Sequence, residues 1–257
     1  MSTCVLKLEH LRKSFGGVEA VKDFSFSIDE GEIVAIIGPN GAGKTTIFNL
    51  ISKIYQPDNG TLTFAGEDIT KKSQIEVARL GISRTFQNTR LFTGLNVLDN
   101  VKAALDFDGK YSLFEAMFLL PRRWKQEKET TRRAMECLKL LNLDQYASVR
   151  PSNLPYGIQR RVEIARAAVS YPKVLMLDEP AAGLNPEEVF QLVDFIKEIH
   201  EKYPKLAILV IEHRMDLVMN LSDYIYVQDF GQTIAKGVPE EIQSNPLVLK
   251  AYLGEEE

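Results

Sequence analysis

The sequence predicts an α/β fold: a mostly parallel sheet at the core, an antiparallel β part at the N-terminus and an inserted block of helices. Three features carry that expectation. Unbroken aliphatic runs at Ile33–Ile37, Val174–Leu177 and Ala207–Ile211 are the pattern of strands buried on both faces. Helical periodicity separates the later runs, which is βαβ alternation. Between about residues 95 and 170 helical patterning dominates.

Val5 to Leu8 and Asp23 to Ile28 alternate apolar and polar residues, as half-buried antiparallel strands do. The run Ile33–Ile37 is then the central strand and stops at Gly38, followed by a glycine-rich turn and a helix from Thr45 to Ile54. A hairpin is expected through Asp58-Asn59-Gly60 into Thr61–Phe64, and a short strand over Ile82–Phe86 ending at Gln87. Val97 to Ala147 reads as helix-rich: within Arg122–Leu141, Ala134, Leu138 and Leu141 share one face, and Pro151 ends the region. A helix over Gly157–Ser170, strand Val174–Leu177, a helix after Pro186 and strand Ala207–Ile211 follow. Strands Tyr224–Gln228 and Gln232–Lys236 and a helical tail complete the chain. With 257 residues, one domain with a subdomain is expected: residues 1–94 and 171–257 as the core, 95–170 as the helical part.

Composition narrows the function. Hydrophobic residues at 45% and charged residues at 26% are those of a water-soluble globular protein. The net charge of −4, spread along the chain, offers no footprint for a nucleic-acid backbone. Cys4 and Cys137 lack metal-ligand spacing and suit a reducing cytosol. The N-terminus has no basic stretch followed by an apolar run, so no export signal is expected. The longest apolar runs, near Ile33–Ile37, Phe118–Leu120 and Leu206–Ile211, fall short of the roughly 20 residues a spanning helix needs. Membrane association is therefore expected only through a partner.

Two segments carry chemistry. Gly38-Pro39-Asn40-Gly41-Ala42-Gly43-Lys44-Thr45 follows a buried strand and opens a helix, the context a phosphate loop requires. Glycines free the backbone to aim N–H groups at a phosphate, the helix N-terminus adds positive potential, Lys44 neutralises phosphate oxygens, and Thr45 offers a hydroxyl to Mg²⁺. The loop in this context resembles that of P-loop NTPases, and the resemblance implies a core of RecA-like type. Val174-Leu175-Met176-Leu177-Asp178-Glu179 is an apolar strand ending in two carboxylates, which alternation sends to different places. Asp178 suits a metal held through water, and Glu179 suits polarising the attacking water.

With these stand Gln87 at a strand end, Leu154-Pro155-Tyr156-Gly157-Ile158-Gln159-Arg160-Arg161 before an amphipathic helix, Ala182-Gly183-Leu184-Asn185, and His213 after a strand. The ordered set resembles that of ABC ATPases over nearly the whole chain. The resemblance implies an enzyme that hydrolyses ATP with Mg²⁺, with nucleotide-binding residues running from Gly38 through Thr45 to Thr46. It implies that Gln87 touches metal and attacking water and reports on the membrane partner, and that His213 contacts the γ-phosphate. Phe15 stands where the family stacks an aromatic on adenine; core packing is the alternative. Pro155, Tyr156, Gly157 and Gln159 stand in the signature loop, which in the family binds the γ-phosphate of the opposite subunit. There Pro155 replaces a serine and supplies neither hydroxyl nor N–H, leaving Gly157 and the helix dipole. Asn185 stands where the family usually has aspartate.

Ser83–Phe92, an extra helical segment near Tyr111–Arg123, Arg160–Arg166, Glu212-His213-Arg214-Met215-Asp216 and Ala251-Tyr252-Leu253-Gly254 are similar to the ATP-binding subunits of branched-chain amino acid importers. ATPases of urea import and lipopolysaccharide export share much of this wording. The resemblance implies a second ATPase subunit, identical or related, integral membrane permease subunits, an extracytoplasmic substrate-binding protein acting indirectly, and a cytoplasmic place against the membrane's inner face. Leu91, Phe92 and Leu95 are either a floor for a permease helix or core packing, and Phe114, Met117 and Phe118 read as subdomain core. Rival functions are weaker. A GTPase would carry an Asn/Thr-Lys-x-Asp motif, a phosphotransferase would leave the signature segment unexplained, and an ABC ATPase of ribosomes or DNA would bring tandem cassettes or basic stripes.

Overall fold

The structure, a computed structural model, describes residues 3–87, 89–105 and 121–253. Phe114, Met117, Phe118, most of the segment near Tyr111–Arg123, Asn88, Gly254 and the first two residues lie outside the described residues. The chain divides into two compact units, Met1–Gln87 with Pro172–Glu257, and Asn88–Tyr171.

The first unit holds two sheets. The antiparallel one has the order β2-β1-β4-β5. Its first strands, β1 (Cys4–Phe15) and β2 (Val18–Asp29), are longer than the alternation suggests. The β1–β2 register slips between Leu8 and Leu11, where His10 takes φ 52° and donates its N–H to Ser25 Oγ. Such a bulge breaks the period of two while pairing continues, so a strict alternation rule loses the strand there. Asp58-Asn59-Gly60 is not a hairpin turn. Asp58 instead accepts from Lys13 Nζ at 2.6 Å and the Ser14 N–H at 2.7 Å, anchoring the entry of β4 (Asn59–Phe64) against β1. The reversal comes at Ala65-Gly66, before β5 (Glu67–Asp68).

The second sheet has the order β10-β9-β3-β8-β7-β6, parallel throughout except for β10. Every residue of β3 (Ile33–Ile37), β7 (Val174–Asp178) and β8 (Ala207–Ile211) is buried. A fully buried isoleucine contributes about 1.5–3 kcal/mol through removal from water, so these runs centre the core. Edge strand β6 (Ile82–Arg84) is shorter than the expected Ile82–Phe86, although the Thr85 N–H still donates to Met176 O at 2.9 Å. β9 (Tyr224–Asp229) and β10 (Gln232–Gly237) close the other side.

Helix α1 (Lys44–Ile51) ends before the expected Ile54 because Lys53 takes φ 60° and sends Nζ to Thr70 O at 2.6 Å. Helix α2 (Gln74–Leu80) was not foreseen, yet its signal is local. Ser73 and Glu76 form a reciprocal capping box, and Gly81 closes the helix at φ 114°.

The second unit contains α3 (Val97–Lys102), α4 (Pro121–Leu140) and α5 (Tyr156–Ala168). Ala134, Cys137, Leu138 and Leu141 are buried, and burial pushes the Cys137 thiol up to about 12. Asn100 accepts from the Phe92 N–H at 2.7 Å and donates to the carbonyls of Phe92, Leu95 and Asn96, fixing the loop before α3. Core packing is not where that loop's aromatic goes. Phe92 is 54% exposed under the Arg166 guanidinium, and Leu95 is exposed too. Helices α6 (Pro186–Lys202), α7 (Met215–Leu221), α8 (Pro239–Gln243) and α9 (Pro246–Leu253) belong to the first unit. No helix among the described residues is long and apolar enough to cross a membrane.

Candidate functional site

Strand register decides where the chemistry meets. Ile36 pairs with Ile211, and Ile211 with Asp178, so the carboxyl ends of β3, β8 and β7 lie in one row. The phosphate loop follows the first, Glu212 and His213 the second, Glu179 the third. Ligand sites of open parallel sheets form outside such ends.

The loop from Gly38 to Gly43 is shaped by close backbone approach. A Cβ on Gly38 would meet Gln228 O at 2.1 Å, and one on Gly43 would meet Ala20 O at 2.3 Å. Gly43, at φ 96°, caps α1 without a side-chain hydrogen bond. Lys44 is buried, with Nζ donating to Gly38 O at 2.7 Å and Pro39 O at 2.9 Å, so the ammonium is drawn back over the loop. Burial pushes it below its ordinary value, while Glu179 and Glu212 oppose the shift. Thr45 is exposed in the first turn of α1, and Thr46 is half-buried behind it.

Asp178 is buried, and its Oδ2 accepts from Arg84 Nη2 at 2.6 Å. Arg84 also donates to Asn49 Oδ1 in α1 and to Ser52 Oγ at its C-cap, with Phe48 and Phe86 against its guanidinium. The pair thus ties the strand-end carboxylate to the helix that follows the phosphate loop. Glu179 takes φ 43°, a strained value for a residue with a β-carbon. Its Oε2 accepts from Gln87 Nε2 at 2.8 Å and lies 3.7 Å from His213 Nδ1, beyond hydrogen-bond length. Three side chains that sequence order alone relates therefore share one point. Thr45, Asp178 and Gln87 each carry an oxygen of the type a hard cation such as Mg²⁺ takes, and Asp178 Oδ2 is here engaged by Arg84.

Phe15 ends β1 and is 40% exposed, which excludes core packing. Tyr55 meets it edge-on at 5.1 Å, and Lys13 Nζ lies 5.4 Å from its ring centre. In the second unit, Pro155 occupies the N-cap of α5, and no side chain caps that helix. Its carbonyl accepts from the N–H groups of Ile158 and Gln159, and Gln159 Nε2 donates to Leu154 O. Pro155 and Tyr156 are exposed and Gly157 half-buried.

Asn185 caps α6 in a capping box: its Oδ1 accepts from the Glu188 N–H at 2.9 Å, and Glu188 Oε2 accepts from the Asn185 N–H. Asn185→Ala is expected to cost about 1 kcal/mol and Asn185→Asp to be neutral or stabilising by a few tenths, since both asparagine and aspartate cap well. Urea denaturation midpoints check both.

Two residues of the site were missed in the sequence. Arg84 had no local signal. Glu212 had one, because it follows an apolar strand as Asp178 does. Its side chain is fully buried and accepts three backbone N–H groups, from Ala181, His213 and Arg214. Near it, the Tyr252 hydroxyl from α9 is pushed up to about 12, chiefly by burial; Gly38 works against the shift and Glu212 adds to it.

A family model described as ABC transporter matches residues 21–182, and one described as branched-chain amino acid ATP-binding cassette transporter matches residues 232–257. The chain is 44% identical over 255 residues to the high-affinity branched-chain amino acid transport ATP-binding protein LivG of Salmonella typhimurium, covering 99% of this chain and 100% of that protein. It is 41% identical to the corresponding protein BraF of Pseudomonas aeruginosa, with the same coverage. A solved ATP-binding cassette of an ABC transporter in its ADP conformation matches with a TM-score of 0.86 at 33% identity, over 99% of this chain and 100% of that one. A dimeric cassette bound to ADP and Pi matches with a TM-score of 0.74 at 26% identity, over 91% and 98%.

Proposed function

The chain belongs to the ABC transporter family of ATP-binding cassettes and is an ATPase whose hydrolysis drives transport, and from that premise we propose that it powers an importer of branched-chain or other hydrophobic amino acids. The observation that carries the chemistry is the meeting of Gln87, Glu179 and His213 beside the phosphate loop. The substrate class rests on the likeness to LivG and BraF along nearly the whole chain and on the matched segment 232–257.

In this proposal Lys44 and the N–H groups at the start of α1 grip the β- and γ-phosphates, and Phe15, braced by Tyr55, stacks on adenine. Bound Mg²⁺ would neutralise charge building on the phosphates, with Thr45, Asp178 and Gln87 holding it. Arg84 keeps the Asp178 carboxylate from turning away from the loop. Glu179 accepts the proton of the attacking water, Gln87 orients that water, and His213 stabilises the γ-phosphate. The signature residues Pro155, Tyr156, Gly157 and Gln159 complete the site of a second ATPase subunit, identical or related. Permease subunits hold the pair at the cytoplasmic face of the membrane and receive substrate from an extracytoplasmic binding protein.

Reconstitution with its permease subunits and binding protein in vesicles should give ATP-dependent leucine uptake. Export of a lipid or uptake of urea would move the chain to a neighbouring branch, and failure to associate with any integral membrane protein would end the transport proposal. At the signature loop, a serine would cap α5 and add a donor toward the γ-phosphate, a bond worth roughly 1.5–3 kcal/mol. Pro155→Ser in a Glu179→Gln background is therefore expected to tighten ATP-dependent dimerisation about tenfold or more, read by sedimentation. Unchanged dimerisation would count against a weakened signature.

A further inference from the structure

Glu212 has no part in the proposed chemistry, yet its carboxylate is fully buried at the centre of the site. Oε1 accepts from the Ala181 N–H at 2.8 Å; Oε2 accepts from the N–H groups of His213 at 3.0 Å and Arg214 at 3.2 Å. Ala181 lies in the loop between β7 and α6, residues 179–185, and Glu212, His213 and Arg214 make up the loop between β8 and α7. The side chain thus folds its own loop around Oε2 and ties that loop through Oε1 to the loop carrying Ala181.

A second stitch joins the same loops. Arg214 Nη1 donates to Leu184 O at 3.1 Å while Asp216 grips the same guanidinium through Nε and Nη2. His213 Nδ1 lies 3.7 Å from Glu179 Oε2 and also 3.7 Å from Glu212 Oε2. We propose that Glu212 is a positioning residue that makes loop 181–185 and the loop carrying His213 move as one body, so that the pose of His213 over Glu179 depends on where loop 181–185 sits. This rests on the ATPase reading of the same site.

The chemistry of a carboxylate is what the clamp requires. Both oxygens accept, and every partner is a donor. A carboxamide has one accepting oxygen and one donating nitrogen, so it can keep one loop and must oppose the other. A buried N–H left without a partner is costly, so the opposed contact will open, freeing either Ala181 or the turn at His213 and Arg214.

Hydrogen exchange of the full-length, nucleotide-free protein tests this directly. In Glu212→Gln the amide of Ala181, or the amides of His213 and Arg214, should exchange about tenfold faster or more, with β8 keeping its protection. Steady-state hydrolysis should show kcat lowered about tenfold with the KM for Mg·ATP changed less than about threefold, the pattern of a lost transition-state contact. Parent-like exchange at both loops, or uniform loosening of β7 and β8, would overturn the clamp. Should Glu212→Gln fail to fold, Arg214→Met cuts the second stitch at a partly exposed position. Faster exchange at Leu184 with a lowered kcat is then expected, and unchanged exchange overturns the proposal. The exchange measurements need no nucleotide. Failure of the ATPase reading would show separately, as a parent protein that does not hydrolyse Mg·ATP.

Discussion

Lys44→Ala is expected to abolish measurable ATP hydrolysis, lowering kcat/KM by on the order of 10²–10³ or more, the loss seen when one preorganised donor to developing charge is removed. The ammonium is the only lysine side chain in the phosphate loop, and it is already held at its mouth by Gly38 O and Pro39 O. Alanine leaves the backbone N–H groups and the helix end, which bind phosphate but cannot neutralise it.

The same variant should fold. Burial holds the Lys44 pKa below the ordinary 10.5, so between the depressed value and 10.5 the unfolded chain binds more protons than the folded one. Stability contributed through this group therefore rises with pH across that window, and at lower pH the charged lysine is a burden on the fold. Removing it should leave the melting temperature at pH 7 close to that of the parent protein. Calorimetry beside an ATPase assay separates the two effects. Hydrolysis at the parental rate would refute the assignment of the nucleotide site.

Glu179→Gln is the second large effect and differs in kind. The amide keeps the size of the side chain and an oxygen able to accept from Gln87 Nε2, but it cannot take a proton from water. A fall in kcat of about 10²–10⁴ is expected, the range for loss of a general base, with Mg·ATP affinity retained within a few-fold. Single-turnover hydrolysis and equilibrium binding of a fluorescent ATP analogue read the two quantities apart. Loss of binding together with kcat would assign Glu179 to the grip on the nucleotide rather than to the water.

Much of this protein is legible in local patterns, and its failures are instructive. The runs at Ile33–Ile37, Val174–Leu177 and Ala207–Ile211 are strands because continuous burial demands continuous aliphatic sequence. The bulge at His10 hid half of β1, since one extra residue inverts the alternation that identifies a strand. At Asp58-Asn59-Gly60 turn-forming residues begin a strand, because Lys13 and Ser14, far away in sequence, take up the Asp58 carboxylate. The capping box at Ser73 and Glu76 is local in sequence, yet α2 is absent from the expectations because its seven residues are too short to show a helical period.

The sequence by itself determined the phosphate loop, the strand ending in Asp178 and Glu179, and the order of the motifs, because each depends on neighbours within a few residues. Only the tertiary structure decided that Gln87 and His213 reach Glu179, that Arg84 is the partner of Asp178, and that Glu212 gathers two loops. Those contacts follow from the order and register of parallel strands far apart in the chain. Register is set by which buried faces fit together across the whole sheet, and no local spacing of residues encodes it.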